Sequence, residues 1–155
     1  MSNAFTGAGT ELAIADELPE TFDDEETTGY PSLTWKTVGE ITSVPEHGAE
    51  YALVTHNPLG ERITVKRKGS VNFGSVTIPM ALDTADEGQD SFREYADGTK
   101  VDDSAPIRIT LANGAVRYFT AQVMSFQEGV DDVDSITSAS TQLEIDREVI
   151  YVGPE

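Results

Sequence analysis

The stretch from Ile107 to Phe126 constrains this chain more than any other. Ile107, Ile109 and Leu111 alternate with Arg108, Thr110 and Ala112, which places the two sets on opposite faces of a strand. Asn113-Gly114 follows and predicts a tight hairpin with this pair at the centre of a type I′ turn. Both central residues of that turn need positive φ, which Gly accepts freely and Asn tolerates. The return strand carries Val116, Tyr118, Thr120, Gln122 and Met124 on one face, and Arg117, Phe119, Ala121, Val123 and Ser125 on the other. Apolar groups fall on both faces, so the strand is expected to be covered from two sides. An isolated hairpin is marginally stable in water, and the rest of the chain must supply those covers.

At 155 residues the chain has the length of one domain, and a single domain over 1–155 is expected. It has no cysteine, which excludes a disulfide-stapled module and any Cys-based metal site or nucleophile. No apolar run approaches the roughly 20 residues a membrane-spanning helix needs, so no membrane anchor is expected. The first ten residues lack a basic start and an apolar h-region, so they do not read as a secretory signal. With 28 acidic against 10 basic residues the net charge is −18. Such a surface repels a nucleic-acid backbone and argues against tight DNA or RNA binding.

Taken in order, residues 1–10 are small and polar and read as a flexible arm. Leu12 and Ile14, with Leu18 a possible continuation, suggest a short strand. From Glu17 to Gly29 there are six carboxylates and no Lys or Arg, and Asp23, Asp24, Glu25 and Glu26 are consecutive. Their mutual repulsion predicts a solvated loop unless a cation or partner meets it. Leu33 to Val44 is strand-like with a bulge near Gly39. Tyr51 to Thr55, and Ile63 with Val65, suggest further strands. The one basic cluster, Arg62, Lys66, Arg67 and Lys68, lies in a projecting loop or hairpin at about 55–70. Two readings are open for it: a strand edge blunted with Lys against aggregation, or a docking surface for acid on another subunit. Val71 to Leu82 reads as one strand with a slip at Gly74, ending or becoming an edge at Pro79, which has no N–H to donate. A helix follows, with Thr84 as its cap paired to Glu87, Phe92 and Tyr95 on its apolar face, and Gly98 as its stop. A second acidic loop carries Asp131, Asp132 and Asp134, and Ser135 to Val152 predicts a last long strand.

Catalytic chemistry has no inventory here. His47 and His56 sit in a turn-rich region without an acid or nucleophile at a recognised spacing. Glu46 and Glu50 beside them are the weak case for a metal, and a His with a carboxylate in one loop is common by chance. There is no glycine-rich phosphate cradle. Asp97 to Lys100 and Asp131 to Asp134 lack the spaced ligands of a calcium loop. The expectation is a non-enzyme without cofactors.

Several stretches, taken in order, resemble the tail tube protein, or major tail protein, of long flexible-tailed bacteriophages, the lambda-like family. They are Gly7 to Leu12, Trp35 to Ser43, Gly69 to Ile78, the helix from Asp86 to Tyr95, and the hairpin from Ile107 to Phe126. The resemblance implies a mainly β fold, a small sandwich or barrel with one short flanking α-helix. It also implies six copies in a ring, rings stacked into a hollow tube in the virion, assembled in the host cytoplasm, and DNA passing through without specific binding. Tape-measure, tail terminator and distal tail or baseplate proteins are the implied partners. The extra C-terminal immunoglobulin-like domain of some relatives is not expected. On this reading a negative lumen repels DNA. Arg62, Lys66, Arg67 and Lys68 are then candidates to meet Asp23 to Glu26, or Asp131, Asp132 and Asp134, on the next ring. Arg108, Thr110, Arg117 and Gln122 are candidates for interface or lumen contacts, and the arm and loops are expected to order on assembly. Two rivals are a β-sandwich decoration or adhesion module and the tube protein of a contractile injection system.

Overall fold

The computed structural model describes residues 3–154; Met1 and Ser2 of the expected arm, and Glu155, lie outside the described residues. In chain order the elements are β1 (Glu11–Ala15), a 3-10 turn (Tyr30–Ser32), β2 (Trp35–Val38), β3 (Glu50–His56), β4 (Val65–Asn72), β5 (Ser75–Ala81), α1 (Glu87–Asp97), β6 (Ala105–Thr110), β7 (Val116–Gly129), β8 (Ser138–Ile145) and β9 (Ile150–Val152). The fold is mainly β, as the alternation of the sequence predicts. One antiparallel sheet runs in the order β2-β1-β6-β7-β8-β5, with β9 also on β7. That sheet nearly closes on itself. Ile41, just past β2, bridges Met80 of β5. The Thr42 N–H donates to Pro79 O and the Ala81 N–H to Glu40 O, each at 2.9 Å. Pro79 therefore lies inside β5, at the end of the strand order, where a missing N–H costs no ladder bond.

The barrel interior is filled by Leu12, Ile14, Ile78, Met80, Ile107, Ile109, Phe119 and Leu143, all essentially inaccessible. Each such side chain stabilises the fold by about 1.5–3 kcal/mol through burial. The helix joins this core with Phe92 and Tyr95. Its cap is Asp86, whose side chain accepts from the Gln89 N–H, and not Thr84. Asp86 also accepts from the Gly39 N–H at 3.0 Å, and the buried Gln89 amide donates to Gly39 O and Ala81 O. The cap thus forms where one carboxylate can serve both the helix end and the barrel seam. Gly88 is required by close approach: a Cβ there would come within 2.7 Å of Thr37 O.

Four further expectations change in detail. The hairpin between β6 and β7 turns through a three-residue loop. Gly114 N–H donates to Leu111 O, Gly114 takes φ +94, and Asn113 is not among the positive-φ residues. Asn113 instead accepts from the Ala115 N–H through its side chain, so this is a type I turn with a glycine bulge rather than type I′. Val71 to Leu82 is two strands in different sheets, broken at Gly74 (φ +99), where a Cβ would strike Gly48 O at 2.7 Å. Ser135 to Val152 is likewise two strands, β8 and β9, and Ile136 stands exposed outside both. Leu18 is also exposed, beyond the end of β1.

The two-sided pattern of β7 has a clear cause. Phe119, Ala121 and Val123 face the barrel core. On the other face, Tyr118 stacks on Tyr30 at 5.4 Å between centroids, and Trp35 leans on it at 5.8 Å. This second cover comes from the chain's own acidic segment, which folds back and buries Tyr30 completely.

Candidate assembly surfaces

Strands β3 and β4 form a separate two-stranded sheet, paired only with each other. Every β3 residue is exposed, as is all of β4 beyond Val65. Lys66, Arg67 and Lys68 lie on β4 opposite Thr55, Val54 and Leu53, and Arg62 is in the connecting loop. Alternation puts Lys66 and Lys68 on one face of the ribbon and Arg67 on the other. The other six cations are engaged with the body. Lys36 and Lys100 pair with Asp16, and Arg93 with Asp90 and Glu128. Arg108, Arg117 and Arg147 lie over Trp35, Tyr151 and Phe22. Among the described residues none of the four hairpin cations has a carboxylate partner; Lys68 lies over Tyr51 at 4.6 Å.

The two acidic segments differ in how they are held. Around Asp23 to Glu26 the backbone is tied down: Tyr30 N–H donates to Asp23 O and Gly29 N–H to Glu25 O, each at 2.9 Å. The Asp23 carboxylate accepts from the Thr21 hydroxyl and the Glu25 N–H. Asp24, Glu25 and Glu26 point outward from this ordered base. Asp131, Asp132 and Asp134 sit instead on an extended excursion between β7 and β8. Its internal bonds are local, from Asp134 N–H and the Ser135 hydroxyl to the Asp132 carboxylate.

The four polar hairpin positions all lie beside partners within the chain. Arg117 donates to Val152 O and Val116 O. Gln122 donates to the Ser104 hydroxyl and the Asp146 carboxylate. Arg108 is half-buried over Trp35, and Thr110 pairs with Glu11 on one side and Val116 on the other. The structure therefore gives each an intramolecular setting.

Electrostatics in the body favour fixed pairs. At Asp16 burial pushes the carboxyl up, but hydrogen bonds from Lys36 and Ser91 and the Lys100 charge outweigh it, and the group sits below its ordinary value. Asp146 behaves alike: burial opposes, while Ser104, Thr120, Gln122 and the Arg147 charge prevail. Burial pushes the Tyr30 hydroxyl up to about 12, and that hydroxyl has no hydrogen-bond partner among the described residues. A cleft of about 630 Å³ opens between the arm and the barrel, lined by Phe5, Ile41, Val44, His47, Leu111 and Tyr151 among others. His47 faces Phe119 there at 5.9 Å.

Sequence reasoning missed the apolar company of these charges. Leu53, Val54, Leu59 and Ile63 are exposed on the hairpin, and Val130, Val133 and Ile136 on the second acidic loop. The available signal was an isolated apolar residue inside a charged, turn-rich run, as in Gly129-Val-Asp-Asp-Val-Asp134.

No protein-family model matches the sequence, and no curated protein matches it. Solved structures do. A chain of the sheath/tube terminator of PVC, an extracellular contractile injection system in its extended state, matches at TM-score 0.70 with 14% identity, over 99% of this chain and 99% of that one. A chain from the tail of an empty gene transfer agent particle matches at 0.65 with 12% identity, over 97% and 100%. The SPP1 tail tube matches at 0.60 with 13% identity, over 97% and 80%. The chain has the tail-tube fold. At these identities the likeness is one of architecture, and it spans the barrel, the helix and the projecting hairpin together, because nearly every residue is covered.

Proposed function

We propose that this chain is a structural tail tube subunit. Copies join into rings, six to a ring, and the rings stack into a hollow tube that conducts DNA from a virion. The observation that carries this reading is the end-to-end fold likeness to chains of tail and sheath–tube assemblies. Sixfold rings are in keeping with the C6 symmetry of the gene transfer agent tail and the sixfold-symmetrised anti-feeding prophage baseplate. Terminator, cap and baseplate proteins are the partners such a tube meets at its ends, as the neighbours come from structures of those parts, and a tape-measure protein would set its length. The charge of −18 suits a conduit, since acidic walls repel phosphate rather than hold it. The hairpin cations Arg62, Lys66, Arg67 and Lys68, which pair with no carboxylate among the described residues, meet acid on a neighbouring ring.

A second reading, the tube of a contractile injection system, draws on the likeness to the PVC chains. Sizing chromatography with negative-stain microscopy of the purified protein tests the shared claim. Rings or hollow tubes are expected, and a small species persisting at high concentration would overturn it. Micrographs of native particles then separate the two readings by a sheath around the tube or its absence.

A further inference from the structure

We infer that the loop at 130–137 of one copy is the seat for the β3–β4 hairpin of the next, an apolar contact ringed by opposite charges. This rests on the tube reading above and narrows it, choosing between two acidic loops that have similar composition. Charge alone does not choose. The apolar surface does: Val130, Val133 and Ile136 are 80%, 99% and 79% exposed, interleaved with Asp131, Asp132 and Asp134. The hairpin presents the same mixture with the sign reversed, Leu53 and Ile63 at 68% and 71% beside Lys66 and Lys68. Large apolar groups this exposed are a cost in a free protein and mark surfaces that meet a partner. The first acidic segment offers Leu18 at 44% and Phe22 at 37%, both well below these values, and the Phe22 ring is already covered by the Arg147 guanidinium at 3.6 Å.

Position supports the same choice. The hairpin joins the body where Gly74 O accepts from the Ile145 N–H. Its base, Tyr51 and Phe73, lines a cleft with Val149 and Tyr151, beside the Val116 end of β7, to which β9 is paired. The 130–137 loop leaves from the Gly129 end of the same strand. Ile145 pairs with Ala121, so eight residues of β7, roughly 26 Å at the usual rise, separate the Gly74 junction from Gly129. Two different, complementary patches on one molecule make a head-to-tail contact, which passes from copy to copy, within a ring or from ring to ring, instead of closing a symmetric pair. A tube needs such a contact between rings.

The chain has no cysteine, so a disulfide test is clean. Ile63→Cys protein is mixed with a mass-tagged Val133→Cys protein under tube-forming conditions, oxidised, and compared with Ile63→Cys mixed with tagged Glu26→Cys. All three positions are exposed, and melting curves check that each variant folds. The expected result is a mixed-mass dimer at roughly tenfold or more the yield of the comparison mixture, because assembly raises the local concentration of the two thiols. Preferential joining of 63 to 26, or tubes without either product, would overturn the inference while leaving the tube reading intact. Absence of any assembly by the wild-type chain would overturn the tube reading itself, and this inference with it.

Discussion

The two acidic loops are near twins in composition and opposites in structure. The first, around Asp23 to Glu26, is a strap. Its backbone bonds close on themselves, and Tyr30 carries it into a stack on Tyr118. The second, around Asp131 to Asp134, projects from the end of β7 and leaves Val133 almost fully exposed. The first carries the denser run of like charge and is the one tied down, so charge content does not decide whether an acidic run is ordered. What decides is whether an apolar anchor within the run can reach a free face of the fold. Tyr30 finds the open side of β7; Val130 and Val133 stay exposed among the described residues.

The first loop depends most on its anchor, Tyr30. Tyr30→Ala removes a fully buried ring from the stack and should cost about 3–5 kcal/mol in denaturant unfolding, while Val133→Ala should stay within about 0.5 kcal/mol. Equal effects would mean that the first loop is not anchored as described. Tyr30→Phe keeps the ring and removes a buried hydroxyl without a partner, so it should be neutral or stabilising by about 1 kcal/mol. A smaller effect tests the backbone. Gly29→Ala would drive a Cβ into Asp23 O and to 2.8 Å from Glu25 N, with an expected cost of about 1–3 kcal/mol, whereas Gly129→Ala meets only the Ser138 hydroxyl at 3.0 Å and should cost less.

Acid should act on the strap side of the molecule. Asp146 lies below its ordinary value of 3.8 in the folded state, so its contribution is present above that value and is lost as pH falls through the lower folded one. Asp16 has the same sign. Melting temperature should therefore drop on going below about pH 4, and the Asp146→Asn variant should show a shallower drop than wild type over the same window. Parallel curves for the two proteins would remove Asp146 from the account.

Much of the fold was readable in the sequence because the buried faces alternate with period two and the turns carry glycine. Ile107, Ile109 and Phe119 point inward as their spacing predicts. The turn type was not readable, since Asn113-Gly114 serves a two-residue and a three-residue loop equally well, and only the pairing of Thr110 with Val116 separates them. The break at Gly74 was hidden for a related reason: alternation continues from Phe73 through Val76 with a single slip, which looks like a bulge although the chain is changing sheets. Asp86 displaced Thr84 as helix cap because Gly39, 47 residues away in sequence, offers it a second N–H. The basic cluster was visible from charge alone. Its apolar neighbours were not, because strand β3 reads as ordinary sheet until it is found exposed throughout.

On the tube reading proposed above, the β3–β4 hairpin connects copies and is not part of what folds the monomer. Reversing Lys66, Arg67 and Lys68 to Glu, with circular dichroism as the control on folding and negative-stain microscopy as the readout, tests it most directly. The expected result is a folded protein with a wild-type melting transition and no tubes. Normal tubes from the reversed protein would contradict the account.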